Sequence, residues 1–227
     1  LERGLIVNAV NASTIRLAPP LTVSDTEIDE AVSRALGQGG EPGPVYLDFP
    51  VDVVRSQVSI PMQMQERFTP RVPVKITPEM SAIHAAVDLL WSAKRPLIIS
   101  GHGAKGAGKQ LCELLSRTGA AYLDTGESKG LVPESHSSVV AAMRGSVMQQ
   151  ADVVLTIGRR LDFQLAYGSP AVFGPAQFIR LGDNAAELRD NRRGEVELLG
   201  DVNLSLQALL KLGAQKTPAT DKAWSAA

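Results

Sequence analysis

One cysteine, Cys112, stands in a chain of 227 residues. A single thiol builds neither a disulfide framework nor a cysteine metal cluster. On a helical pattern beside Leu111, Cys112 reads as a small core residue. Histidine is scarce too: His84, His102 and His136 are too dispersed for metal-ligand spacing. No apolar run reaches the length of a membrane span. Neither sign of charge dominates, with 23 Lys and Arg against 24 Asp and Glu. No basic field therefore points to nucleic acid or an anionic membrane. The start, LERGLIVNAV, has neither the basic opening nor the long apolar stretch of a secretory signal. It also lacks an initiator Met, and we expect a piece of a longer, cytoplasmic gene product.

What is present is enough apolar material for a core, 44% of residues. Leu5 to Val10 and Thr14 to Leu17 predict two short strands joined by a polar turn. Ser24 and Glu27 form an S-x-x-E capping box before a helical pattern that Gly37 closes. Residues 37–44, GQGGEPGP, read as a break, and VYLDFPVDV then begins a buried strand that Pro50 ends. Pro61, Pro70, Pro73 and Pro78 give the following stretch a linker composition.

From Thr77 the pattern changes. Thr77 is placed to N-cap a helix with Pro78 at its first position. Ile83, Val87, Leu90 and Trp91 make its apolar face. Strands are expected at 97–100, 120–124, 152–157, 177–181 and 196–199. Helical faces are expected at Ala107, Leu111, Leu114 and Leu115, and at Leu206, Leu209 and Leu210. Strands apolar on both faces that alternate with helices predict an α/β fold with a doubly wound parallel sheet, Rossmann-like, preceded by a small β-β-α segment and a linker. The tail, AQKTPATDKAWSAA, reads as a linker, with Trp224 as a docking anchor for a further domain.

The stretch LIISGHGAKGAGKQ, residues 97–110, carries two overlapping phosphate-binding patterns. Gly101, Gly103 and Gly106 fit G-x-G-x-x-G. Gly103, Gly108 and Lys109 fit G-x-x-x-x-G-K, but Gln110 replaces the Ser or Thr that a P-loop uses on Mg²⁺, which makes a triphosphate site a poor reading. The dinucleotide reading is better placed, since the motif follows a strand, opens a helix, and is followed by Asp124 at the end of the next strand. A plain structural turn accounts for the same glycines, and both readings stand.

The stretch GEPGPVYLDFPVDV and, after it, five motifs in register carry a family resemblance: RPLIISGHGA, DTGESKGLVPESH, ADVVLTIGRRLDFQLAYG, FIRLGDNAAEL and LLGDVNLSLQALL. Together they resemble thiamine-diphosphate (ThDP) enzymes related to acetolactate synthase. The resemblance implies the end of the pyrimidine domain at 37–55, a linker at 56–77, the central domain at 78–212 and a tail at 213–227. It further implies decarboxylation of a 2-oxo acid, followed by transfer of the acyl unit to an acceptor. It also implies that ThDP and Mg²⁺ are held by missing pyrimidine and diphosphate domains, and that the complete enzyme is a homo-oligomer. No counterpart of the family's activating Glu is found, and Gly182-Asp183-Asn184 and Gly200-Asp201-Val202 match its metal motif only superficially. No catalytic residue and no metal site is assigned, and this chain alone is expected to be inactive.

In some members the central domain binds FAD or the ADP part of coenzyme A. The positions this resemblance implies for cofactor binding are Gly101, Gly103, Thr125, Gly145, Gly158, Arg160, Asp183, Gly200 and Asp201. An empty or ADP-binding pocket is expected about as readily as FAD, because Ala142-Met143-Arg144-Gly145 is a reduced loop and Phe163 and Gln164 replace the usual Asp and Arg. Salt bridges to Asp162 or Asp183 are the competing role for Arg159 and Arg160. Arg192-Arg193 reads as a solvated turn. Residues 1–36 resemble instead the C-terminus of a class III, pyridoxal-phosphate-dependent aminotransferase, in which Arg16 would bind a substrate carboxylate. The alternative is a divergent start of the ThDP domain.

Overall fold

The computed structural model describes residues 6–11, 14–18 and 74–224, with isolated positions between 24 and 57. Two compact units are present, Leu1–Val74 and Lys75–Ala227. In the first, strands β1 (Ile6–Asn11) and β2 (Thr14–Ala18) pair antiparallel, with Arg16 opposite Asn8. This agrees with the two strands read from the sequence. The expected capping box and the VYLDFPVDV strand fall outside the described residues.

The second unit is built on five strands: β3 (Pro96–Ser100), β4 (Ala121–Asp124), β5 (Val153–Ile157), β6 (Gln177–Gly182) and β7 (Val196–Leu199). Their order is β4-β3-β5-β6-β7 and every pairing is parallel. Chain direction across the sheet reverses between β3 and β5. That is the switch point at whose carboxyl side open α/β sheets take ligands.

Alternation along each strand splits the core in two. Ile98, Tyr122, Leu155, Ile179 and Leu198 face helices α1 (Met80–Ser92), α2 (Gly108–Thr118) and α6 (Val202–Gly213), the last preceded by the short α5 (Ala185–Arg189). Leu97, Ile99, Leu123, Val154 and Phe178 face the other layer, which includes α3 (Arg144–Gln150) and α4 (Pro170–Phe173). Helices thus cover both faces, as strands apolar on both sides require. The apolar faces expected for α1, α2 and α6 are the buried ones. α3 and α4 escaped the sequence reading: each buries one apolar residue, Val147 or Phe173, too few to give a period.

Two local expectations need correction. Thr77 does not cap α1, which begins at Met80 with Glu79 as its cap residue. Residues 75–79 stay extended because Ile76 accepts a hydrogen bond from the Asp201 N–H at 2.7 Å. Trp224 is not an anchor held out for another domain: it is buried, and its indole N–H donates to the Pro96 carbonyl at 2.8 Å. The tail that leads to it is fastened by Ala219 N–H to Trp91 and Asp221 N–H to Lys94. Thr220 adds a hydroxyl bond to the Thr118 carbonyl. Among the described residues, no helix is long and apolar enough to cross a membrane.

Candidate functional site

Loops at the carboxyl ends of the five strands hold every position implied for cofactor binding in this unit except Gly145. Gly101 follows β3, and Gly103 sits in a short 3-10 turn, His102–Ala104. Thr125 follows β4 and caps a second 3-10 turn, Gly126–Ser128. Gly145 lies in the first turn of α3, which Arg144 ties to the Asp124 carboxylate at 3.2 Å. Gly158 and Arg160 follow β5, Asp183 follows β6, and Gly200 and Asp201 follow β7.

Three of the glycines meet one another. Gly101 donates its N–H to Ile157 and Gly103 donates to Gly158, both at 3.0 Å. A methyl group on Gly103 would stand 2.8 Å from the Gly158 Cα, and one on Gly101 2.6 Å from the Gly158 oxygen. Gly158 has φ +53° and donates its own N–H to Leu181. The N–H groups of Gly101, Gly103 and Gly158 are therefore spent within the protein, and the space beside them is filled with backbone. This is the geometry of interlocked loops, and a phosphate cradle needs the opposite: open space and unspent donors.

Thr125 and Asp201 are similarly engaged. Thr125 donates its hydroxyl to the Ser100 carbonyl at 2.6 Å, which Ser128 also reaches at 2.9 Å. Asp201 caps α6 by accepting from Leu204 N–H at 2.9 Å and pairs with Lys75 at 3.2 Å. Burial works against its charge, but these partners outweigh it and hold the carboxyl below the usual range. A methyl group on Gly200 would lie 2.6 Å from the Ile76 oxygen. Thr125 and Gly200 also belong to opposite edges of the sheet, on the order of 20 Å apart by strand spacing. The implied positions lie along one rim of the sheet.

At the centre of that rim the arginines divide by what they have left to offer. Arg159 uses both terminal nitrogens on Asp162, each at 2.9 Å. Asp162 is held below the carboxylate range although burial opposes it, because Arg159 and the Gln164 N–H favour its charged form. Arg160 spends only Nε, on Asp190 at 2.7 Å, while most of its side chain is exposed. Its Nη groups have no partner among the described residues. The sequence reading offered Asp162 or Asp183 as salt-bridge partners: Arg159 takes Asp162, but Arg160 takes Asp190. Asp183 is exposed just beyond β6. Arg192 is no solvated turn residue. It lies over the Phe178 ring at 4.2 Å and donates to Gly168 and Ala176 carbonyls.

The residue missed by sequence reading is Arg180, in β6 and fully buried. It donates Nε to Thr156 Oγ1 at 3.0 Å and Nη2 to the Glu187 carbonyl at 2.8 Å, with a further bond to Arg192. Its Nη2 lies 3.6 Å from Asp190. Desolvation lowers its pKa despite Asp190. A lone charge inside the apolar run FIRLG was the available signal.

The histidines are exposed or engaged in local contacts. His136 accepts from Ser138 N–H and meets Ser116 Oγ at 3.2 Å. His102 pairs with Glu127 in the open, and His84 is exposed.

With this architecture in view, comparison with known proteins is decisive. A family model described as "Thiamine pyrophosphate enzyme, central domain" matches residues 83–209. The chain belongs to that family. This ThDP central domain is 34% identical over 203 residues to oxalyl-CoA decarboxylase of Escherichia coli (strain K12), across 86% of this chain and 35% of that protein. It is 34% identical over 209 residues to 2-hydroxyacyl-CoA lyase 1 of Mus musculus, across 91% of this chain and 34% of the relative. A 2-hydroxyacyl-CoA lyase of Arabidopsis thaliana matches at 36% over 185 residues, 77% of this chain and 32% of the plant protein. The chain spans about a third of the length of these relatives. The mouse match leaves out fewer residues than the segment 1–36 contains, so it reaches into that segment.

The described residues of this ThDP central domain do not fit a Mg²⁺-diphosphate site. Among the described residues no group of three metal-ligating side chains converges. Asn184 and Asp201, from the two superficial motif matches, are occupied as helix caps. For a nucleotide the fit differs by place: the glycine loops offer no unspent donors at Gly101, Gly103 or Gly158, whereas Arg160 presents an outward guanidinium fork.

Proposed function

We propose that the chain is the central domain of a ThDP-dependent decarboxylase or carbon–carbon lyase that acts on a coenzyme A thioester. The observation that carries this reading is the likeness to relatives named for acyl-CoA substrates. It supports that branch over an acetolactate-synthase-like one. ThDP and Mg²⁺ would be supplied with their own ligands by the pyrimidine and diphosphate domains of the same enzyme, so this chain alone is inactive. Its own contribution is a rigid sheet, contacts in a cytoplasmic homo-oligomer, and a place for the ADP part of coenzyme A.

Arg160 is the residue assigned to the diphosphate. A guanidinium anchored through Nε leaves a planar pair of donors that matches phosphate oxygens. Asp183, exposed one strand away, is placed to accept from a ribose hydroxyl. Gly145, beside which an added Cβ would meet nothing, leaves room for the ligand along α3. Gly101, Gly103 and Gly158 serve the turn, and Gly200, Asp201 and Thr125 serve local structure. FAD is disfavoured by the same spent donors. For Arg16, the carboxylate role stays tied to the aminotransferase resemblance, and its place on the β1–β2 pair is compatible with it.

Titration of the purified chain with ADP, coenzyme A, FAD and ThDP tests this. ADP and coenzyme A are expected to bind, and Arg160→Ala to weaken both by about tenfold, the effect of one charge-assisted pair. Failure of both ligands to bind would leave the domain as scaffold only.

A further inference from the structure

Arg180 poses a question that packing does not answer. Among the described residues it is the only fully buried charged side chain. A buried guanidinium is costly, and an apolar side chain of similar volume often does as well or better for stability. Every arm of Arg180 is used: Thr156 Oγ1 on Nε, carbonyls of Arg192 and Glu187 on the terminal nitrogens, and the Asp190 carboxylate at 3.6 Å. Asp190, itself mostly buried, divides its two oxygens between two arginines. Oδ1 faces Arg180 and makes no hydrogen bond, while Oδ2 accepts from Arg160 Nε at 2.7 Å.

The charges then add in a specific way. Without Arg180, Asp190 would cancel the charge of Arg160. With it, the three residues together carry one positive charge, set against the nearby Glu187 carboxylate, and Arg160 is the only one of the three exposed. The neighbouring Arg159–Asp162 pair is neutral, with both terminal nitrogens of Arg159 on the carboxylate. We propose that Arg180 is a positioning residue for an anion site at Arg160: acting through Asp190, it holds the Arg160 fork outward and offsets the Asp190 charge, so that the Arg160 charge is left for a nucleotide diphosphate. This rests on the nucleotide reading of Arg160 given above.

The test is a charge cycle in the full chain, read by ADP titration, thermal unfolding and the NMR signal of the Arg160 Nε–H. Arg180→Met should remain folded and bind ADP about tenfold more weakly. Adding Asp190→Asn to it should restore most of that loss, because Asn still accepts from Arg160 while the single positive charge returns. A role in packing alone predicts no such rescue. An unchanged affinity in Arg180→Met, or a double variant no tighter than the single one, overturns the proposal. Should Arg180→Met fail to fold, Asp190→Asn alone decides: ADP should bind roughly threefold tighter at low salt, with the gain lost at high salt, and unchanged or weaker binding overturns it. If the unaltered chain binds no ADP, the nucleotide reading has failed by itself. The Arg160 Nε–H signal then tests the positioning: slow exchange that Arg180→Met or Asp190→Asn makes fast supports it, and fast exchange in the unaltered chain overturns it.

Discussion

Gly103 and Gly158 face each other across the two central strands, joined by a 3.0 Å hydrogen bond from Gly103 N–H to the Gly158 oxygen. A side chain on either would fall on the backbone of the other. This contact locks the loops after β3 and β5 where an open α/β sheet would otherwise gape. It makes the glycine-rich motif a structural joint.

Substitution at this joint should be severe. Gly158→Ala adds both a collision with Gly103 and a left-handed backbone strain at φ +53°. We expect a loss of about 3 kcal/mol in urea unfolding, from overpacking plus the αL cost. Gly126→Ala is the control: its φ is +46° but nothing lies within 4 Å of the added carbon. It should cost only about 1 kcal/mol.

Asp201 separates a capping role from a ligand role. Asp201→Ala removes the side-chain acceptor for Leu204 N–H and the Lys75 pair. Stability should fall by about 1 kcal/mol, as for other lost N-caps. ADP titration of the same variant should be unchanged, and a large loss of affinity would return Asp201 to the binding site.

The tail is part of the domain. Trp224→Ala removes a buried indole and its bond to Pro96. A loss of about 3 kcal/mol is expected, at the low end for a large aromatic because the site lies at the margin of the core. Unfolding that is unaffected would mean the tail contributes nothing to the fold.

Acid should weaken this domain through Glu197 and Asp162. Arg193 is the main cause of the depressed Glu197 carboxyl, with Arg189 adding to it. Asp162 is depressed by Arg159 and the Gln164 N–H against the opposing effect of burial. A carboxyl whose folded pKa lies below its unfolded one gives stability that is present above the unfolded value. That stability is lost as pH falls through the folded value. Thermal midpoints should therefore drop as pH is lowered below the ordinary carboxylate range. Glu197→Gln should flatten part of that dependence, and an unchanged slope would assign the acid sensitivity elsewhere.

Much of this was legible from residues alone. β3 to β6 announced themselves as short apolar runs, and α1, α2 and α6 as periodic faces, because burial on both sides of a sheet leaves little choice of residue; edge strand β7 buries only Leu198. The rim was legible too, since parallel strands put every following loop at the same edge. The occupancy of that rim was not. Whether Gly101 or Thr125 offers a donor depends on whether Gly158 or Ser100 already takes it. Those partners are distant in sequence.

The sequence by itself determined the fold class and the family, because periodicity, strand composition and motif order are local properties of the chain. Tertiary structure alone decided that Arg160 pairs with Asp190, that Arg180 is buried behind both, and that Trp224 folds back on its own sheet. The physical reason is that hydrogen-bond satisfaction and the balance of charge are properties of neighbours in space. A residue type states what a side chain can offer, and only the packed structure states what it has left.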